Sequence, residues 1–293
     1  MLESVGVIYS SVLEVNLNYS GILELKLDDQ EMADFCEGKL KRNDILINQY
    51  LVIKDSSGKS VDEGKWTKCG FTRLKYKPIE NKMFGKISPR NQEQRFMFDL
   101  LQDSSEIGKL IIGNMGSGKT MISLVHALDM IVGNKPKYDR LVYLRNNIIT
   151  KNTNDLGALP SDITAKIKPF AMPLCDILGD ESALDSLIQD HKIVLEHIGF
   201  IRGRSYKNSV VFVSEAQNID RAIAALIVAR IGEGSILIVE GDLKQSDKSV
   251  FEKESGICAM AEALKGDYEF GMVTLKKNER SRFASLADLL LED

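Results

Sequence analysis

Cysteine is scarce and scattered in this chain. Cys36, Cys69, Cys175 and Cys258 form no CxxC pair and no Cys/His spacing. That excludes a zinc site and a disulfide frame and points to a reducing cytoplasm. Histidine is scarcer still, with only His126, His191 and His197, too few and too spread for a histidine-based centre. His126 falls in an apolar helical stretch and reads as structural. No basic surplus exists either: the formal net charge is −4, so nucleic acid would have to be met by a local basic patch. No apolar run approaches the ~20 residues of a membrane span. The N-terminus lacks a basic leader region, and Glu3 and Glu14 interrupt its apolar stretch, which argues against a signal peptide. Internal repeats and low-complexity segments are absent. The expectation is a cytoplasmic protein without membrane contact.

What is present suits a globular protein. The 293 residues are 44% hydrophobic and 27% charged, room for one large or two moderate domains. In residues 12–18, Leu13, Val15 and Leu17 share one face; in residues 22–27, Leu23, Leu25 and Leu27 do. Period two reads as half-buried strands. Residues 29–39 read as a short helix, and residues 50–54 and 71–74 as strands around the turn at 55–58. The expectation is a small β-rich module over residues 1–80, a small barrel being one form of it, then a linker over 81–90.

From residue 91 the pattern changes. Phe96/Leu100 and Met97/Leu101 are i,i+4 pairs on a helix. Apolar runs at 110–112, 141–144, 210–213, 236–239 and 272–275 read as buried strands, most of them separated by helical patterns. Such alternation predicts an α/β fold with a parallel sheet and helices on both faces, occupying residues 91–293.

Residues 113–120 read Gly113-Asn114-Met115-Gly116-Ser117-Gly118-Lys119-Thr120, a full G-x-x-x-x-G-K-[ST] match between a strand run and a helix pattern. Glycines let the backbone wrap phosphates, and successive N–H groups point inward. In that motif Lys119 reaches the β- and γ-phosphates and Thr120 offers its hydroxyl to Mg²⁺. A phosphate-bearing ligand with Mg²⁺ is therefore expected.

Other candidates sit near strand ends. Glu215 closely follows the run at 210–213 and is placed to polarise an attacking water, or is a solvated loop glutamate. Gln245, after the run at 236–239, would sense the γ-phosphate or the water, or is an ordinary loop amide. Both lie outside strand carboxyl ends, where open α/β sheets bind ligands. Arg280, between the last strand and a helix, would stabilise transition-state charge in cis or from a neighbouring subunit, or is a surface arginine. Gln94, opening a helix, would read adenine, or is solvated. Arg145, Arg202 and Arg204 are candidate phosphate contacts, to nucleotide or to a nucleic-acid backbone, with plain surface charge as the alternative.

Several segments together resemble the PhoH family of P-loop ATPases, related to superfamily-one helicases. They are Pro89-Arg90-Asn91-Gln92-Glu93-Gln94, the 113–120 loop, Asp155-Leu156-Gly157-Ala158-Leu159-Pro160, Ile201-Arg202-Gly203-Arg204-Ser205, Glu215-Ala216-Gln217-Asn218, residues 241–245 and Glu279-Arg280-Ser281. The resemblance covers about residues 85–293. It extends into Asn48-Gln49-Tyr50-Leu51-Val52-Ile53-Lys54-Asp55, which is similar to the segment before the ATPase in relatives with an N-terminal PIN nuclease; this chain begins too late to hold that nuclease. The resemblance implies a RecA-like P-loop NTPase fold, ATP hydrolysis with Mg²⁺, a link to single-stranded RNA, and ring-like homo-oligomers in which Arg280 faces a neighbour's nucleotide. Two departures stand out. The family pattern is Asp-Glu-Ala-Gln, but position 214 is serine, which brings no charge to support Mg²⁺; Asp242 is a candidate substitute. Asn146-Asn147 replaces a Pro-containing turn beside Arg145. Ser214 sets up the alternative function: a nucleotide-gated binding or assembly protein with weak or absent hydrolysis.

Overall fold

The computed structural model of the chain describes residues 19–145, 168–245 and 255–279. Its first elements are β1 (Ile22–Lys26), α1 (Asp29–Cys36) and β2 (Tyr50–Lys54). Asp28 starts α1 with a reciprocal cap. Its carboxylate accepts from the Glu31 N–H at 2.8 Å, and the Glu31 carboxylate accepts from the Asp28 N–H at 3.3 Å. The helix is the crossover that lets β1 and β2 pair in parallel. Strands β3 (Ser60–Thr67) and β4 (Gly70–Arg73) then add antiparallel, giving the order β1-β2-β3-β4. Among the described residues this is an open sheet, where a closed barrel was one expectation. The strand expected at 12–18 lies outside the described residues. A hairpin of β5 (Ile79–Asn81) and β6 (Gly85–Ile87) occupies much of the stretch that reads as a linker.

Strand β2 faces two cores. Leu51 and Ile53 pack with Leu25, Leu27, Ile45 and Trp66, while Tyr50 and Val52 join the larger core that holds Phe96 and Leu100. Buried charge marks the same junction. Lys65 Nζ lies 2.6 Å from Asp103, 2.8 Å from Glu106 and 3.5 Å from Asp99, and the Tyr50 hydroxyl donates to Asp99 at 3.0 Å. Burial alone would lower the Lys65 pKa, but the Glu106 and Asp99 charges outweigh it and raise it above the usual lysine range.

The elements that follow are α2 (Gln92–Gln102), β7 (Gly108–Gly113), α3 (Lys119–Val132), β8 (Arg140–Arg145), α4 (Met172–Leu178), α5 (Glu181–Gln189), β9 (Ile193–His197), β10 (Ser209–Ser214), α6 (Arg221–Val228), β11 (Ile236–Gly241), α7 (Gly256–Leu264) and β12 (Phe270–Leu275). Six of the strands form one all-parallel sheet in the order β12-β7-β11-β10-β8-β9. Helices cover both faces, the α/β, RecA-like P-loop architecture that the motifs imply. Consecutive strand residues alternate between two cores. Ile111, Tyr143, Phe212 and Ile238 meet Leu124 and Leu128 of α3. Leu110, Val142, Val211 and Val239 meet Ile227 of α6 and Ile257 of α7. Burial on both faces is why these strands read as unbroken apolar runs. Strand β9, with Glu196 and His197 in its second half, carries a weaker signal.

The strand order decides the geometry of the ligand edge. Strand β7, which enters the 113–120 loop, and β10, which ends at Ser214, are not neighbours; β11 lies between them. Among the described residues no helix is long and apolar enough to cross a membrane.

Candidate nucleotide site

The 113–120 loop joins β7 to α3, and its backbone needs glycine. Gly116 has φ +80° and Gly118, the N-cap of α3, has φ +85°, a region that side chains rarely adopt. No side chain caps α3, so its first-turn N–H groups remain available to an anion. Ser117 is 1% exposed and its hydroxyl has no hydrogen-bond partner. That hydroxyl lies against Gly113, where a Cβ would stand 2.7 Å from its oxygen, so the loop folds this closely only on glycine. Asn114 N–H donates to the Leu275 carbonyl at 3.2 Å, and Met115 is exposed. Gln94 sits beneath the loop. Its Nε2 donates to the Ser117 carbonyl at 2.9 Å and its Oε1 accepts from the Arg90 N–H at 2.8 Å. Both ends of the amide are thus engaged by main chain.

Three side chains converge beside the loop. The Thr120 hydroxyl donates to Glu240 Oε2 at 2.9 Å, and the Ser214 hydroxyl donates to Glu240 Oε1 at 3.0 Å. Glu240 shares the sheet face of Ile238 and is 1% exposed. Burial pushes its carboxyl above the usual range; the Lys119 charge opposes the shift and the Glu215 charge adds to it. Sequence reasoning passed over Glu240. Its signal was a lone acid closing an otherwise apolar strand run. Asp242, the candidate substitute for a charge at 214, is buried and accepts from the Lys244 N–H at 3.0 Å.

Glu215 follows β10 in the left-handed region, at φ +55° and ψ +45°. A non-glycine residue held there costs about 1–3 kcal/mol, and such outliers gather at functional sites. Gln217, a second residue the sequence reading left without a role, fixes the carboxylate. Its Nε2 donates to Glu215 Oε2 at 2.6 Å, and its Oε1 accepts from the Asp242 N–H at 3.1 Å. The close approach needs Gly241, because a Cβ there would stand 3.0 Å from Gln217 Oε1. Gln245 closes the single turn after β11, and its N–H donates to the Asp242 carbonyl at 3.0 Å.

The exit of β12 is fastened to the same loop. The Glu279 N–H donates to the Gly116 carbonyl at 2.9 Å. Asn91 Nδ2 donates to Glu279 Oε1 at 2.6 Å, and Glu93 accepts from the Lys276 and Lys277 N–H groups at 2.7 and 2.9 Å. Arg280, the next residue, lies outside the described residues, as does the segment 155–160. Arg145 is engaged elsewhere: Nη1 donates to the Phe170 carbonyl at 3.1 Å and the guanidinium lies over the Phe170 ring. Arg202 and Arg204 are exposed in a turn beside the exposed Phe200, and Arg204 pairs with Glu196 at 3.2 Å.

Among the described residues no three His, Cys, Asp or Glu side chains gather as an all-protein metal cage. The donor set instead suits Mg²⁺, which keeps waters and takes few protein oxygens alongside substrate phosphates.

Comparison with known proteins places this geometry. The family model described as PhoH-like protein matches residues 86–290, a span that includes the loop, Glu215, Glu240 and Arg280. Protein PhoH2 of Bacillus subtilis (strain 168) is 31% identical over 288 residues, covering 93% of this chain and 64% of that protein. Protein PhoH2 of Mycolicibacterium smegmatis is 31% identical over 217 residues, covering 73% of this chain and 49% of the relative. Protein PhoH of Escherichia coli (strain K12) is 29% identical over 205 residues, covering 68% and 55%. The chain thus spans about half to two thirds of the length of these relatives. A family match running from before α2 to beyond β12 leaves no part of the site outside it, and the chain belongs to the PhoH family.

Proposed function

We propose that this chain binds ATP with Mg²⁺ and hydrolyses it to ADP and phosphate. The observation that carries the reading is the opposition of two parts across the sheet edge. An uncapped α3 N-terminus with Lys119 and Thr120 stands on β7, and a strained, glutamine-held Glu215 stands on β10. The amides of Gly116, Gly118, Lys119 and Thr120 wrap the phosphates, and the Lys119 side chain pairs with the β- and γ-oxygens. Thr120 contributes its hydroxyl to Mg²⁺, which when bound neutralises phosphate charge. Glu215 accepts the proton of a water whose oxygen attacks the γ-phosphorus in line; the P–O bond to ADP breaks and ADP leaves with the electron pair. Gln217 holds Glu215 in place. Gln245 couples the γ-phosphate to movement of the turn after β11. Arg280 adds positive charge to the transition state. Gln94 buttresses the loop, and reads adenine by exchanging one of its main-chain bonds.

We further propose that hydrolysis is linked to single-stranded RNA, in a helicase-like homo-oligomer that forms a ring, with Arg280 reaching a neighbour's site. Arg202 and Arg204 would contact the backbone while the exposed Phe200 offers a stacking face; Arg145 is a weaker candidate because Phe170 holds it. Free cysteines at Cys36, Cys69, Cys175 and Cys258 fit a cytoplasmic setting.

A second reading rests on Ser214, which brings a hydroxyl and no charge. On it, nucleotide binding gates an assembly and hydrolysis is weak or absent. One experiment separates the two: phosphate release from ATP and Mg²⁺, with and without single-stranded RNA, beside Lys119→Ala. Turnover stimulated by RNA and abolished by Lys119→Ala supports the RNA-linked ATPase. Binding without turnover supports the gated assembly, and a chain that binds no nucleotide overturns both.

A further inference from the structure

Glu240 is buried in a way that asks for a cation. A carboxylate 1% exposed is costly unless charge is returned to it. Its two hydrogen bonds come from neutral hydroxyls, Thr120 and Ser214. Among the described residues no lysine, arginine or histidine forms an ion pair with it, and the Lys119 charge acts on it only from beyond ion-pair distance; the buried acids of the N-terminal junction, by contrast, share Lys65.

Hydroxyl chemistry gives the arrangement a direction. A threonine hydroxyl has one proton and two lone pairs. Thr120 gives that proton to Glu240, which leaves both lone pairs for a metal. The strand order explains why the acid comes from β11. That strand lies between the P-loop strand and the strand ending at Ser214, so its last residues meet both.

We propose that Glu240 is the carboxylate of the Mg²⁺ site, acting through Thr120 and the metal's water shell and supplying from β11 the negative charge that Ser214 does not supply from β10. Glu240 is thereby a positioning residue for the metal, and this role rests on the ATP reading above.

The test is the Mg²⁺ dependence of binding of a fluorescent, non-hydrolysable ATP analogue to the full chain. For the unaltered protein, Mg²⁺ tightens binding relative to EDTA. Glu240→Gln keeps the size; its amide oxygen still accepts from one hydroxyl, and the hydroxyl that faces its Nε2 turns to accept, so binding in EDTA stays close to that of the unaltered protein. Its half-saturating Mg²⁺ concentration rises roughly 10- to 100-fold, the usual effect of losing an outer-shell metal partner. Adding Ser214→Asp to Glu240→Gln returns the charge one strand away and recovers most of the Mg²⁺ response, which a merely structural role for Glu240 would not allow. Superposable Mg²⁺ curves for Glu240→Gln and the unaltered chain overturn the proposal and leave the ATP reading standing. Equal loss of binding in EDTA and in Mg²⁺, without recovery in the double variant, also overturns it. Failure of the unaltered chain to bind the analogue overturns both.

Discussion

Gln94 reaches under the phosphate loop and donates to the Ser117 carbonyl at 2.9 Å, while its other amide end accepts from Arg90 at 2.8 Å. One side chain thus pins the turn before α2 to the turn before α3. Gln94→Ala leaves a buried carbonyl and an N–H unpaired, costing about 1–3 kcal/mol. Chemical denaturation should register that loss, and titration with an ATP analogue should show affinity falling roughly tenfold, equivalent to ~1.4 kcal/mol. Unchanged affinity would mean that the loop holds its shape unaided.

Glu215→Gln separates chemistry from binding. The amide keeps the size of the side chain but accepts no proton. Turnover should fall by about 10²–10⁴-fold while analogue binding stays within a factor of ~3. Phosphate release and equilibrium binding on the same preparation check both; turnover near that of the unaltered chain would remove Glu215 as the base.

His126 makes stability depend on pH. It is 2% exposed on α3, and burial lowers its pKa from 6.5 to about 4. Its Nδ1 donates to the Ile122 carbonyl at 2.8 Å, and Nε2 accepts from Gln102 at 3.2 Å, so the fold holds the neutral ring. The unfolded chain therefore binds a proton that the folded chain refuses. Stability is full above pH 6.5, falls as the pH drops from 6.5 towards 4, and levels below that, for a loss of up to about 3 kcal/mol from this group. His126→Gln should flatten that part of the curve when Tm is followed against pH; an unchanged slope would place the proton elsewhere.

Lys65 balances the acids at the junction of the N-terminal sheet with α2 and β7. Lys65→Met leaves Asp99 and Glu106 buried without their shared cation, and breaking such a group costs about 3–5 kcal/mol. Urea unfolding should show the midpoint drop accordingly. A loss under 1 kcal/mol would mean that the wholly buried Lys109, whose pKa burial lowers to about 8, takes over the compensation.

The sequence spoke clearly where a pattern is local. The 113–120 loop, its flanking strand and helix, and five of the six parallel strands are legible because burial on both faces writes unbroken apolar runs. Strand β3 was hidden because Asp62, Glu63 and Gly64 interrupt its apolar residues, and it is held by its partners β2 and β4. Glu240 and Gln217 were illegible as site residues for a different reason. Their roles depend on which strand lies between which, and on a glycine that admits a neighbouring side chain. Gln94 was legible as a site residue, but its hold on the Ser117 carbonyl was not, because that contact depends on how α2 meets the loop before α3.

The place of β11 has a metric consequence. Neighbouring strands stand about 4.8 Å apart, so two strands separated by a third lie roughly 9.5 Å apart. Strands β7 and β10 have this wider spacing. The main chains that carry the Lys119 loop and Glu215 therefore leave the sheet with the width of one strand, β11, between them, and that strand brings Glu240 into the interval.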